Sequence, residues 1–74
     1  MNLITERLPE KHKLAIFYLK DGRYFVGSYS CGATAIGSIS SEDMNHDYDD
    51  WDNGFDPIKC WEYISREDSN KLIY

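Results

Sequence analysis

Residues 13–30 read KLAIFYLKDGRYFVGSYS. Two runs of strand-forming residues, one with Leu14, Ile16, Phe17 and Tyr18, the other with Tyr24, Phe25, Val26 and Tyr29, flank the pair Asp21-Gly22. β-branched and aromatic side chains suit a pleated, half-buried surface. An Asp-Gly pair between two such runs signals a two-residue type I′ turn, whose central residues both take positive φ to match the strand twist. The stretch therefore predicts a β-hairpin over 13–30, with Lys20 and Arg23 keeping its tip hydrated.

Downstream, Cys31 to Ser40 is small and glycine-containing. It reads as a short third strand through Thr34, Ile36 and Ile39 followed by a turn, or as a loop, since glycine in a strand marks a bulge or a close backbone approach. From Ser41 the period changes: Met44, Tyr48, Trp51 and Phe55 fall at i, i+4, i+7 and i+11, one face of a helix. Ser40 with Asp43 resembles a capping box, Glu42 and Asp43 suit the positive end of a helix dipole, and Asn53-Gly54 supplies a stop. Against this, aspartates are poor helix formers, so an acidic loop is the alternative. Pro57 opens a last strand, Ile58 to Ile64, with Trp61 and Tyr63 on one face and Ile58, Cys60 and Ile64 on the other. Ser65 with Asp68 suggests a short turn before the apolar end. The expected fold is α+β: a small antiparallel sheet of three to four strands with one short acidic helix or loop packed against it, in a single domain, 1–74.

Composition bounds the function. A chain of 74 residues that is 42% hydrophobic and 15% aromatic is too apolar for disorder and too small for both a scaffold and a deep cavity. The longest apolar run, Leu14 to Leu19, falls far short of a membrane span, and Met1 to Glu10 lacks the apolar stretch of a secretory signal. A cytoplasmic protein starting at Met1, without membrane contact, is expected. Cys31 and Cys60, the only cysteines, are read as buried free thiols rather than a bridge.

The charge, −5 overall, is concentrated. Between Arg23 and Lys59 there is no Lys or Arg, and Glu42 to Asp56 holds seven carboxylates: Glu42, Asp43, Asp47, Asp49, Asp50, Asp52 and Asp56. Phosphate binding needs cations, so direct nucleic-acid binding is not expected. An acidic face can steer a chain onto a basic protein surface, although such a face can equally be solvated and solubilising. Tyr48, Trp51 and Phe55, interleaved with the acids, add the aromatic character of interface anchors. These ten residues are the expected partner-binding site, with the exposed aromatics of the sheet (Tyr18, Tyr24, Tyr29, Tyr63) as the fallback.

Other chemistries fail on spacing. A calcium loop with Gly54 at its sixth position puts Trp51 third and Cys60 twelfth, neither a calcium ligand; a looser arrangement of Asp50, Asp52 and Asp56 is all that remains, and no metal is expected. Gly32 to Gly37 has phosphate-loop spacing, but Ser38 stands where the lysine should be. His12 and His46, the only imidazoles, lack a supporting nucleophile motif, His46 with Cys31 or Cys60 being the remaining pairing. No catalytic residue and no cofactor is expected.

Arg7-Leu8-Pro9, the Asp21-Gly22 hairpin and Ile58-Lys59-Cys60-Trp61 together resemble a family of short uncharacterised phage and prophage domains that open with an Arg-Leu-Pro motif and close on a Trp-containing strand. The leading Trp of that pattern is missing, with Asn2-Leu3 in its region, and Cys60 stands where the family often has His. The resemblance implies a phage or mobile-element setting in a bacterial host. Taken with the acidic face, it leads to the expectation of a non-enzymatic inhibitor of a bacterial defence complex, of anti-CRISPR or anti-restriction type, in which carboxylates stand in for phosphates. A small-ligand binder or sponge, using the loop from Cys31 to Ser38, and a phage scaffolding module are the alternatives.

Overall fold

The computed structural model describes residues 1–31, 37–49 and 54–72. Among these, β1 (Asn2–Leu3), β2 (Leu14–Leu19), β3 (Tyr24–Cys31), β4 (Gly37–Ser41), β5 (Asp47–Asp49) and β6 (Ile58–Tyr63) precede one helix, α1 (Arg66–Leu72). All six strands belong to one antiparallel sheet in the order β1-β6-β2-β3-β4-β5.

This corrects the α+β expectation: the fold is mostly β, with six strands rather than three or four. Two of the additional strands, β1 and β5, have two and three residues, too few for an alternating pattern to declare itself in a sequence. The expected acidic helix is also absent from the described part of 41–52. Met44 sits in a turn at φ 62°, and Asp47–Asp49 is a strand. Ser, Asp and Asn side chains compete with helical hydrogen bonding by capturing nearby main-chain groups. Here the Ser41 hydroxyl accepts from His46 N, and Asp43 accepts from Asn45 N. The helix lies later, where Ser65 Oγ accepts from Asp68 N at 3.1 Å and caps α1. Thr34 and Ile36 lie outside the described residues; Ile39 is buried in β4.

The hairpin of β2 and β3 pairs Leu14 with Ser28 through Tyr18 with Tyr24. Its turn is longer by a residue than the type I′ reading. Leu19 N donates to Arg23 O at 2.8 Å and Gly22 N to Leu19 O at 3.1 Å. Only Gly22 in this turn has positive φ, +96°. Lys20 and Asp21 thus form a type I turn, and Gly22 provides the left-handed residue that follows it.

The main core cluster occupies one face: Ala15, Phe17 and Leu19 from β2, Phe25 from β3, Ile39 from β4, and Ile58 and Trp61 from β6, with Tyr29, Tyr48 and Phe55 packed against them. Ile16, Val26 and Cys60, on the other face, are also buried. Strict alternation would separate Ile58 from Trp61. A bulge unites them: Leu19 faces Ile58 and Tyr18 faces Cys60, leaving Lys59 as the extra residue, and an inserted residue reverses the faces of what precedes it. Gly27 is required by packing, since a Cβ there would stand 2.8 Å from the Ser40 carbonyl carbon and 2.9 Å from Ser41 Cα, both main chain.

The segment between β1 and β2 straps across the core. Ile4 N donates to Lys59 O, Trp61 Nε1 to Arg7 O at 2.7 Å, and Glu10 N to the Tyr63 hydroxyl. Ile4 and Pro9 are buried beneath it. The segment through Arg7-Leu8-Pro9 therefore covers part of the core face, with Pro9 buried and Leu8 40% exposed. Cys31 and Cys60 are free thiols, Cys60 buried and Cys31 half-buried. Among the described residues, no helix is long and apolar enough to cross a membrane.

Candidate functional site: an acidic hairpin at the sheet edge

β4 and β5 form the outer hairpin, with Ser38, Ile39 and Ser40 opposite Asp49, Tyr48 and Asp47. Its turn is organised by Ser41, a polar side chain only 6% exposed. The Ser41 hydroxyl donates to Asp43 Oδ1 and accepts from His46 N at 2.9 Å, while Ser41 N donates to His46 O at 2.8 Å. Asp43 is therefore engaged in shaping the turn. Glu42, the other acid of the turn, pairs with Arg66 at 3.0 Å and ties α1 to it, but both side chains remain well exposed.

Alternation in β5 then splits the expected site. Asp47 and Asp49 are exposed, and Asp47 accepts from Ser40 Oγ at 3.2 Å. Tyr48 points the other way, its ring 5.9 Å from Phe25 and packed on the core. Phe55 likewise faces inward, edge-on to Tyr29 at 6.2 Å. Asp56 is exposed beside Pro57. Asp50, Trp51 and Asp52 lie outside the described residues. The structure thus places Asp47 and Asp49 on the exposed side of β5 and Glu42 and Asp43 in the adjoining turn, Glu42 paired with Arg66, and separates these acids from Tyr48 and Phe55. The sequence interleaves acids with aromatics, and in a strand such interleaving means opposite faces.

His46 stacks on Phe25, centroids 4.8 Å apart, with Nδ1 3.3 Å from the Tyr48 hydroxyl. The cysteines have other neighbours: Cys60 Sγ lies 3.0 Å from Met1 Sδ, and Cys31 Sγ 3.6 Å from the Tyr29 hydroxyl. Among the described residues, no group of three or more His, Cys, Asp or Glu side chains is placed to hold a metal ion. A shallow groove of about 450 Å³ runs between Ile4–Leu8 and Phe55.

The fallback aromatics divide similarly. Tyr29 packs on the core, and Tyr63 lies edge-on to Trp61 with Lys13 Nζ 5.1 Å from its ring centre. Tyr18 and Tyr24 stand opposite one another on the other face. Comparison with models of protein families, with curated proteins and with solved structures returned no match.

Proposed function

We propose that the protein is a non-enzymatic binding module whose acidic edge, β5 and the β4–β5 turn, docks on a basic surface of a protein partner. The observation that carries this reading is the placement of Asp47 and Asp49 on the exposed side of the edge strand, beside Glu42 and Asp43, in a hairpin without Lys or Arg. Carboxylates on such an edge speed encounter with a cationic surface and penalise anionic competitors. The phage-like pattern of the chain gives this a setting: an inhibitor of a bacterial defence complex, of anti-CRISPR or anti-restriction type, that occupies a nucleic-acid-binding surface.

The experiment begins with capture of partners from bacterial lysate and mass spectrometry, followed by affinity measurement at low salt. Changing Asp47 and Asp49 to Asn in a variant shown to be folded is expected to weaken binding about tenfold. The captured partner is expected to lose DNA or RNA when this protein binds. Unchanged affinity in the doubly neutralised variant overturns the reading.

A further inference from the structure

On the face opposite the core, the register draws one line across four strands. Leu3 faces Cys60, Cys60 faces Tyr18, and Tyr18 faces Tyr24. Tyr24 is 48% and Leu3 43% exposed, so the row ends in accessible apolar surface on both sides. The rings of Tyr18 and Tyr24 are 6.3 Å apart and tilted by 45°, a splayed pair rather than a closed stack. Glu62 is on the same face, opposite Ile16 and diagonal to Tyr18. Burial first, and then the Glu62 charge, raise the pKa of the Tyr18 phenol above its ordinary value, which agrees with a carboxylate close to that ring.

This carboxylate and these rings hold no cation of their own among the described residues. No ion pair there includes Glu62, and the cation–π contact found belongs to Lys13 over Tyr63. Arg23, the nearest guanidinium in sequence, is held by Asp21 at 2.8 Å.

We infer that the Tyr18–Tyr24 row with Glu62 seats an arginine side chain of the basic partner, an assignment that rests on the protein-binding reading above and places its anchor away from the acidic hairpin. A guanidinium is planar and weakly hydrated. It stacks on aromatic rings while its N–H fork reaches a carboxylate, which the compact, strongly hydrated lysine ammonium does poorly. A second copy of the chain is a poor occupant. Apart from the exposed bulge residue Lys59, the strand positions of this face carry Glu62, Asp47 and Asp49 without a Lys or Arg, so two copies would oppose these like charges. Nucleic acid is disfavoured for the same reason.

The test titrates the ¹⁵N-labelled full chain, at low salt, with a short Gly-Arg repeat peptide and its Gly-Lys counterpart. The arginine peptide is expected to move the amides around Tyr18, Tyr24 and Glu62 and to bind about three- to tenfold more tightly than the lysine peptide. Tyr24→Thr and Glu62→Gln, both at exposed positions, should abolish that preference while the spectra remain those of a folded sheet. Asp47→Asn with Asp49→Asn should weaken both peptides equally. Equal affinity for the two peptides, or shifts confined to β5, overturns the arginine seat and leaves the acidic edge standing. Absence of binding by either peptide up to millimolar concentration overturns both.

Discussion

Gly22 shows how much one residue decides. Its φ of +96° lies in the region that L side chains avoid, yet a Cβ there would meet nothing within 4 Å. A substitution at this site therefore tests backbone strain alone. Gly22→Val is expected to destabilise the protein by about 1–2 kcal/mol, the usual cost of a left-handed residue. Gly22→Asn should cost less, because asparagine tolerates that region. Urea unfolding of the two variants checks the order. Asp21, beside it, adds a pH dependence. The main-chain N–H of Arg23, followed by its guanidinium, holds the Asp21 carboxyl below its ordinary pKa. A carboxyl depressed in the folded state contributes fully above its unfolded value, and that contribution is lost as pH falls through the folded value. The Arg23 amide resonance should accordingly move toward its unhydrogen-bonded position on acidification below about pH 4, with little change between neutral pH and pH 6 or so.

At the scale of elements, the β4–β5 hairpin depends on a single buried hydroxyl. Ser41→Ala removes the acceptor of His46 N and the donor to Asp43. It should cost about 1–2 kcal/mol, the penalty for stranding a buried polar group. Because β5 is an edge strand, the loss should appear as faster amide exchange at His46 and Tyr48 before any effect on β2 or β3. Sequence and structure diverge in this same hairpin. The β2–β3 hairpin was legible because its runs are long and its turn chemistry is specific. The stretch from Ser41 to Asp49 was not, because its apolar residues fit a helical period while its short polar side chains close a turn. Helical spacing of Met44 and Tyr48 was coincidental: Met44 is 88% exposed and Tyr48 reaches the core. The bulge at Lys59 was illegible for a related reason. An inserted residue is defined by what the partner strand does, and Leu19 lies far from Ile58 in sequence.

For the molecule as a whole, the acid-rich composition was evident before the structure, but its distribution over surfaces was not. Carboxylates line one edge and face, while Tyr48 and Phe55 belong to the interior. The described acids Glu42, Asp43, Asp47, Asp49 and Asp56 therefore do not act with those two rings as one contact patch, and the aromatic pair on the other face, half-buried Tyr18 and exposed Tyr24, comes from another hairpin. Edges end in short strands, and β5 carries Asp47 and Asp49, features that discourage sheet-to-sheet association. Partner binding steered by these charges is expected to slow on association as salt rises, with dissociation much less affected. Stopped-flow measurements across a salt series, with the captured partner, check this; a salt-independent association rate would exclude steering.

The strap from Arg7 to Trp61 joins residues 54 apart in sequence, and β6 enters the sheet between β1 and β2. The four strands β2 to β5 form a meander whose neighbours are near in the chain; every neighbour of β6 is remote. Closing so long a loop is unfavourable until the meander offers β6 a fixed edge. Folding is thus expected to pass a barrier in which β2 and β3 are paired and β6 is still loose, so that the clasp governs how long the native state lasts rather than how fast it forms. Ile58→Val in β6 should speed unfolding with little change in the folding rate, whereas Val26→Ala in β3 should slow folding. Chevron plots of the two variants, read from tryptophan fluorescence, distinguish this order from one in which β1 and β6 meet first.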